Sequence, residues 1–496
     1  MVKEMEGYFY SKIEQAKDGN LIPICQNSSG QEIFMHSKYN PIREAEGFVR
    51  DIDEGCLFFI VLGLAGGYHI QKLLEKCPEA KILVADISQS ALDFLSAIPC
   101  VKKLMSDKRV LISDEKKAGQ KILSSYKPAL HGNLTILSLR QWENIFTESC
   151  ANLQKEINSA IKLLAQDFSV QSHFGKIWQK NILTNLSLAE KTLNFSQVKK
   201  EIKEKSLTEK TAAIIAAGPS LDNDIKKLRD LREKYFIIAT DTAFSALRKV
   251  KIDSDAVVSI DGQQVSHEHY MDSISKKTLY VFDLCANSSA VRKAILSSKN
   301  VLLSETGHPL SQYASLYTGK RSFPHLEAGS GTVTIAAASL ARNLGFTKIE
   351  FFGSDFSYIK GRAYARGTYL EGNFHSKSNR LSPAEKSYDA IMYRTPLIKL
   401  SEDRMTTEIL QAYKESLESF MKSKNNDFCE NEEYGRFDLK DFKSWYCKEL
   451  KSAFRSEKDF DENSFATTTL LPLCAKLGKG SAFLAYLKTL SYTERV

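Results

Sequence analysis

The sequence predicts an α/β protein with two parallel-sheet regions and a helical region after them. Three observations carry this expectation. Apolar runs of strand length alternate with helical stretches, first before about residue 150 and again from about 209 to 400. In the second region every run ends in small or hydrogen-bonding residues, as strands of an open parallel sheet do where they meet a ligand cleft. A length of 496 residues also suits two to four domains at roughly 100–200 residues each.

Taken in order, Leu57–Leu62 reads as a buried strand closed by Gly63, a helix follows from about Tyr68, and Ile82–Ala85 is a second strand. Residues 151–205 turn helical, with Leu153, Ile157, Ile161, Leu164 and Phe168 at three- and four-residue steps. The lysine-rich stretch Lys199–Lys205 reads as a linker. Strands are then expected at Ala212–Ala217, Tyr235–Ala239, Ala256–Ile260, Leu279–Phe282, Val301–Leu303 and Ile349–Phe352. A small-residue helix, Val333–Leu344, is stopped by Gly345. Beyond Ser401, Ile409, Tyr413, Leu417 and Met421 at helical spacing predict a helical appendage. The expected domains are thus 1–204, 205–400 and 401–496.

Composition excludes several classes. Hydrophobic residues at 43% and charged residues at 26% are those of a globular protein, not of a disordered or fibrous one. The net charge of +8 comes without a basic cluster, so nucleic acid is not an expected partner. Nine scattered cysteines without a C-x-x-C give neither a zinc ribbon nor a disulfide framework. The charged start Met-Val-Lys-Glu-Met-Glu lacks a signal peptide's apolar stretch, and the most apolar run, Cys56–Gly67, is shorter than the about 20 residues of a membrane span. The expectation is a cytoplasmic protein without membrane insertion, compatible with a homo-oligomer.

The strand ends of the second region gather the candidate chemistry. Gly218-Pro219-Ser220, Asp241-Thr242 and Gly353-Ser354-Asp355 follow three of the runs, and Gly329-Ser330-Gly331-Thr332 precedes the small-residue helix. Glycine admits close backbone approach, and a helix start offers N–H groups to an anion. A loop bearing Tyr358, Tyr364 and Tyr369 leads to His375-Ser376-Lys377 and has the make-up of a lid, while His308 and His325 are secondary candidates. In the first region Gly63-Leu64-Ala65-Gly66-Gly67, with Asp86 beyond it, has dinucleotide-site spacing; a structural Rossmann-like layer without a retained cofactor is the preferred reading. No G-x-x-x-x-G-K-[ST] or H-E-x-x-H occurs, and Asp253-Ser254-Asp255 precedes its strand, the wrong end for a metal site. No metal is expected.

The chain resembles the motility-associated factor (Maf) family of bacterial flagellin glycosyltransferases. The matching residues are His36–Pro41 with Glu44-Ala45, Gly63–Gly67 with Tyr68-His69, Ala217–Asp222, and Gly353–Tyr358. Its middle region is also similar to bacterial sialyltransferases that use CMP-activated nonulosonic acids. That resemblance implies a sialyltransferase-like central domain in which Gly218, Pro219, Ser220, Asp241, Thr242, Ser330, Gly331, Thr332, Ser354 and Asp355 hold the nucleotide-sugar. It further implies that Tyr358 and Tyr364 assist departure of the phosphate and that His375 is the base. Asp241 stands where those sialyltransferases tend to have asparagine. The implied activity is inverting transfer from a CMP-nonulosonic acid to Ser or Thr of flagellin, with no cofactor required. A pterin pyrophosphokinase and a non-catalytic flagellin-binding factor are the alternatives.

Overall fold

Parallel pairing of the predicted apolar runs accounts for the main sheet of the second region and for two of the four strands in that of the first. The computed structural model describes residues 8–270, 274–329, 331–423 and 433–496, without the side chain at 265; Ser330 and Cys429 lie outside the described residues. The chain divides into two units, Met1–Gly175 with Leu471–Ala482, and Lys176–Leu470 with Phe483–Val496. The first boundary thus falls at 175 rather than 204, because the 40-residue helix Thr147–Leu186 runs through the division without a break.

In the first unit, strands β1 (Phe9–Gln15), β2 (Leu21–Gln26) and β3 (Glu32–Phe34) form an antiparallel sheet that alternation of apolar residues does not announce. The strands β4 (Phe58–Leu62), β5 (Lys81–Asp86), β6 (Val110–Asp114) and β7 (Leu134–Ser138) form a parallel sheet in the order β6-β5-β4-β7. Every residue of β4 is buried, as a strand covered on both faces requires.

The glycine turn after β4 is filled by the protein's own side chains. A Cβ on Gly66 would lie 2.9 Å from the His36 ring and 2.8 Å from that of Tyr68, and the Gly66 N–H donates to His36 Nε2 at 3.0 Å. The His36–Glu44 segment is a brace for this turn, with the Ser37 N–H donating to Glu44 at 2.8 Å. Asp86 is fully buried and accepts from the N–H groups of Leu64 (2.7 Å) and Ile87 (2.8 Å), the Trp142 indole (3.2 Å) and the Tyr10 phenol (3.1 Å). The carboxylate that a ribose would need is saturated from within.

In the second unit, β8 (Thr211–Ile215), β9 (Tyr235–Thr240), β10 (Ala256–Ser259), β11 (Leu279–Asp283), β12 (Val301–Ser304) and β13 (Ile349–Phe352) build one parallel sheet in the order β12-β11-β10-β9-β8-β13. The chain steps outward from β8 to β12 and returns on the other side of β8 with β13. That reversal opens a crevice at the carboxyl end of β8. Helix Val333–Asn343, with Gly345 at φ +94° just past its end, packs Ile335, Leu340 and Ala341 into the core over this sheet.

Two expectations need correction here. Residues 199–205 are mostly not a linker: Phe195–Glu204 is a helix, begun by Asn194 accepting from the Ser196 N–H and anchored by buried Phe195, Val198 and Ile202. Its lysines crowd the solvent face and hide a three- and four-residue apolar spacing. No domain break falls at 400 either. There β15 (Ile398–Ser401) pairs with β16 (Arg404–Thr406), which pairs in turn with β14 (Tyr358–Ile359). The next helix, Glu408–Lys422, sends Leu417 and Phe420 into the central core, while Ile409 and Met421 stay exposed. Among the described residues no helix is long and apolar enough to cross a membrane.

Removing the Asp86 carboxylate strands four buried donors at once. Each unsatisfied group costs about 1–3 kcal/mol, so Asp86→Ala is expected to destabilise the chain by about 3 kcal/mol or more, and Asp86→Asn by less. Urea unfolding followed by tryptophan fluorescence measures both, and an Asp86→Ala chain as stable as the parent would contradict the saturated-carboxylate reading.

Candidate active site

Three strand ends and one helix start converge at the crevice. The loops after β8, β9 and β13 meet the start of helix Val333–Asn343 around a cavity of about 260 Å³. Gly218, Asp241, Thr242, Thr332, Ser354, Asp355, Tyr358 and Tyr364, all singled out from the sequence, line it. The wall also includes Phe356, Ile391, Leu410 and Tyr413. The last two stand beyond the domain boundary the sequence suggested, on a helix whose apolar spacing points to packing and carries no sign of a site.

Close backbone approach at Gly218 serves the chain itself. Its N–H donates to the Gly353 carbonyl at 2.8 Å, and a Cβ there would collide with that carbonyl and with Asp355. Asp355 Oδ2 accepts from the Ser220 N–H at 2.8 Å, so a protein carboxylate already occupies the start of helix Leu221–Asp230 where a ligand anion was expected. Asp355 Oδ1 also faces Arg404 Nη2 at 3.4 Å. Pro219 is buried, its carbonyl accepting from the Asp222 N–H at 3.3 Å. Neither Pro219 nor Ser220 lines the cavity.

Asp241 is buried and committed as well, accepting from the Thr242 N–H at 2.8 Å and the Ser259 hydroxyl at 2.7 Å. Thr332 caps its helix by accepting from the Thr334 N–H at 3.3 Å. Gly331, at φ +93°, is exposed and donates its N–H to the Ala328 carbonyl at 2.9 Å. Ser330, expected beside it, lies outside the described residues.

The groups left for a ligand are hydroxyls. Ser354 Oγ is buried and has no hydrogen-bond partner. Tyr358 and Tyr364 are partly buried, and burial pushes both phenols above their ordinary range, against the opposing charge of Arg394. Both therefore stay protonated donors near neutral pH.

The structure does not bring the expected imidazole into this wall. His375 is exposed in the last turn of helix Tyr369–Ser376 and does not line the cavity. The secondary candidates are elsewhere too. His308 is buried at a helix start, accepts from the Leu310 N–H at 3.1 Å, and is pushed down to about 3 by burial. His325 sits 3.1 Å from Glu305, which holds its pKa above the ordinary value. Asp255 of the D-x-D accepts from Arg232 (2.9 Å) and the Ile237 N–H (2.7 Å), at the amino end of β10 as its position predicted.

The contacts around Gly218 set an expected outcome. Gly218→Val places side-chain atoms into the Gly353 carbonyl and the Asp355 carboxylate, and overpacking of this kind costs about 1–3 kcal/mol. The variant should melt several degrees lower, by roughly the shift such a loss produces. An unchanged thermal unfolding curve would mean that the two loops are not held together as described.

Residues 180–361 match the family described as 6-hydroxymethylpterin diphosphokinase MptE-like. Across 98% of its length the chain is similar in fold to the solved structure of MAf glycosyltransferase from Magnetospirillum magneticum AMB-1, covering 89% of it with a TM-score of 0.50 and 12% identity. An uncharacterized protein of Treponema pallidum (strain Nichols) is 42% identical over 153 residues, 30% of this chain; the chain spans about half of that relative, 54%. A second uncharacterized protein of that organism is 37% identical over 155 residues, 31% of this chain and 70% of its own length. By that last match, the chain belongs to the same family as this second Treponema pallidum protein.

Proposed function

We propose that the chain is an inverting glycosyltransferase that moves a nonulosonic acid, of pseudaminic or legionaminic type, from a CMP donor to Ser or Thr of flagellin, for flagellum assembly and motility. The observation that carries this reading is the unpartnered Ser354 hydroxyl in a switch-point cavity that also holds two protonated phenols. The fold likeness to the MAf glycosyltransferase supports it. Phenols and hydroxyls stabilise negative charge as it develops on a departing phosphate without adding charge of their own.

In the reaction the acceptor oxygen bonds to the anomeric carbon as the bond to the phosphate oxygen breaks, and the electron pair leaves with CMP. Tyr358 and Tyr364 donate to the departing phosphate, and Ser354 and the Thr332 helix start position the donor. The acceptor proton goes to His375. That role requires helix Tyr369–Ser376 to swing over the cavity when the donor binds, with Gly367 at φ +85° as a hinge. No metal ion enters the scheme, and the transfer is assigned to the cytoplasm, before export of the acceptor.

The family match favours one competing reading, ATP-dependent diphosphate transfer to a pterin. The carboxylates such chemistry would enlist, Asp241 and Asp261, are both bonded within the protein; Asp261 accepts from the Gln263 N–H at 2.9 Å and Ser266 at 2.7 Å. Among the described residues no group of three or more His, Cys, Asp or Glu side chains is placed to hold a cation.

CMP should raise the melting temperature, and ATP with magnesium or a pterin should not. His375→Ala should lose about 10²–10⁴-fold in transfer to flagellin at unchanged CMP affinity. Tyr364→Phe should slow transfer by removing one donor to the leaving group, up to about 10²-fold. A magnesium-dependent shift with ATP and none with CMP would replace the transferase reading by the diphosphokinase one, and near-normal transfer by His375→Ala would remove it as the base.

A further inference from the structure

A second concavity in the same unit shares no residue with the cavity above. It is an open groove of about 660 Å³ along helix Ser288–Ser297, which follows β11, and its wall includes Lys180, His267, Arg292 and Lys293, with no carboxylate among the described residues. We propose that this groove binds an acidic stretch of polypeptide, belonging to the protein that receives the sugar. The assignment to the acceptor rests on the transferase reading; the charge and shape of the groove do not.

The shape comes from helical spacing. Arg292, Lys293 and Leu296 lie three, four and seven residues after Ser289, so the four share one face of a helix about 15 Å long. An extended peptide advances about 3.3 Å per residue, and four or five residues would lie along this face. A compact anion such as a single phosphate would use only part of it. Leu296, 80% exposed and one turn beyond Arg292 and Lys293, offers such a peptide an apolar contact beside the charges.

The charge is uncompensated at two positions: among the described residues neither Lys180 nor Arg292 makes a salt bridge. The opposite wall is braced. Asn181 is buried, donates through Nδ2 to the Gly262 (3.1 Å) and Cys285 (3.0 Å) carbonyls, and accepts from Ser288 Oγ at 3.1 Å. The helix start itself is not the binding group, because Asn287 already accepts from the Ser289 (3.0 Å) and Ala290 (3.2 Å) N–H groups. The long cationic side chains are. Nucleic acid would also answer to the charge, but single strands bind through rows of stacked bases, and this wall offers only the His267 imidazole and the Tyr492 phenol, the latter hydrogen-bonded to Thr184 at 2.8 Å.

The test uses the full chain and a fluorescein-labelled peptide of alternating Glu and Ala, read by fluorescence anisotropy at low ionic strength. The peptide should bind, the matching Gln-Ala peptide should not, and Lys180→Glu/Arg292→Glu should weaken binding at least about tenfold. Lys180→Gln/Arg292→Gln, a gentler change, should weaken it less. CMP affinity and melting temperature should match the parent in both variants, which separates loss of the groove from loss of the fold. Equal peptide affinity in parent and charge-reversed chains would overturn the proposal, as would tighter binding of a short oligothymidylate or of tripolyphosphate than of the acidic peptide. A parent chain that binds the peptide but not CMP would sink the transferase reading and leave the peptide groove standing.

Discussion

The carboxylate of Asp355 ties the loop after the sixth strand of the central sheet to the helix that follows the first. Its hydrogen bond to the Ser220 N–H, with that of the Gly218 N–H to the Gly353 carbonyl, brings the loops after β8 and β13 together at the point where the sheet reverses direction. A hydrogen bond to a charged acceptor contributes about 1.5–3 kcal/mol. Its larger consequence is geometric. With these loops clamped, Ser354 is fixed between two bonded residues, and Tyr358 and Tyr364 emerge from a segment held at both ends. One end is β14 paired with β16; the other is Ala365, whose N–H donates to the Ala217 carbonyl at 2.8 Å.

The two glycine turns of this chain show why such motifs cannot be read alone. Both follow a buried parallel strand and precede a helix, and both have a downstream carboxylate. Around Gly63–Gly67 the Asp86 carboxylate and the Gly66 N–H are matched within the protein, and the rings of His36 and Tyr68 stand where a ligand would pass. Around Gly218 the protein likewise supplies the anion, yet a cavity survives, because a second helix start and the tyrosine-bearing loop stand back from the strand ends. The difference lies in residues far away in sequence. For the first turn these are His36 and Trp142; for the second they are Thr332, Tyr364 and Tyr413.

This explains how far the sequence could be read. All six strands of the central sheet were legible: β8 to β12 are nearly all buried and so read as apolar runs, and the half-buried edge strand β13 keeps the apolar residues Ile349, Phe351 and Phe352. The edge at which their loops gather followed from topology alone, and eight candidate residues do meet there. The small sheets were not legible: β14 to β16 are two to four residues long and mostly exposed, so no apolar pattern marks them. Nor does the sequence show which groups are already taken. The Ser220 N–H and the Asp241 carboxylate have the right chemistry for a ligand, but in the fold the first donates to Asp355 and the second accepts from Ser259. That His375 stands outside the cavity wall has a related reason. The spacing of a motif puts an imidazole on a helix but says nothing about which way that helix faces.

What remains once the internal bonds are counted defines the chemistry the cavity favours. Two carboxylates lie in its wall, which by itself would repel a phosphate. Asp355 faces Arg404 and accepts from a backbone N–H, and Asp241 accepts from a backbone N–H and a hydroxyl. Their bonding capacity is directed into the protein, and the lining residues without such commitments include Ser354, whose Oγ is buried and unpartnered, and the tyrosines. A site of that kind holds an anion by neutral dipoles. Neutral dipoles release an anion more readily than fixed cations do. Binding of that kind also makes the position of each dipole critical, since a hydrogen bond weakens steeply once its geometry is lost. The clamp between the loops after β8 and β13 is therefore more than structural support: by fixing Ser354 and the start of the tyrosine loop, it sets where the negative charge of a departing group can be received.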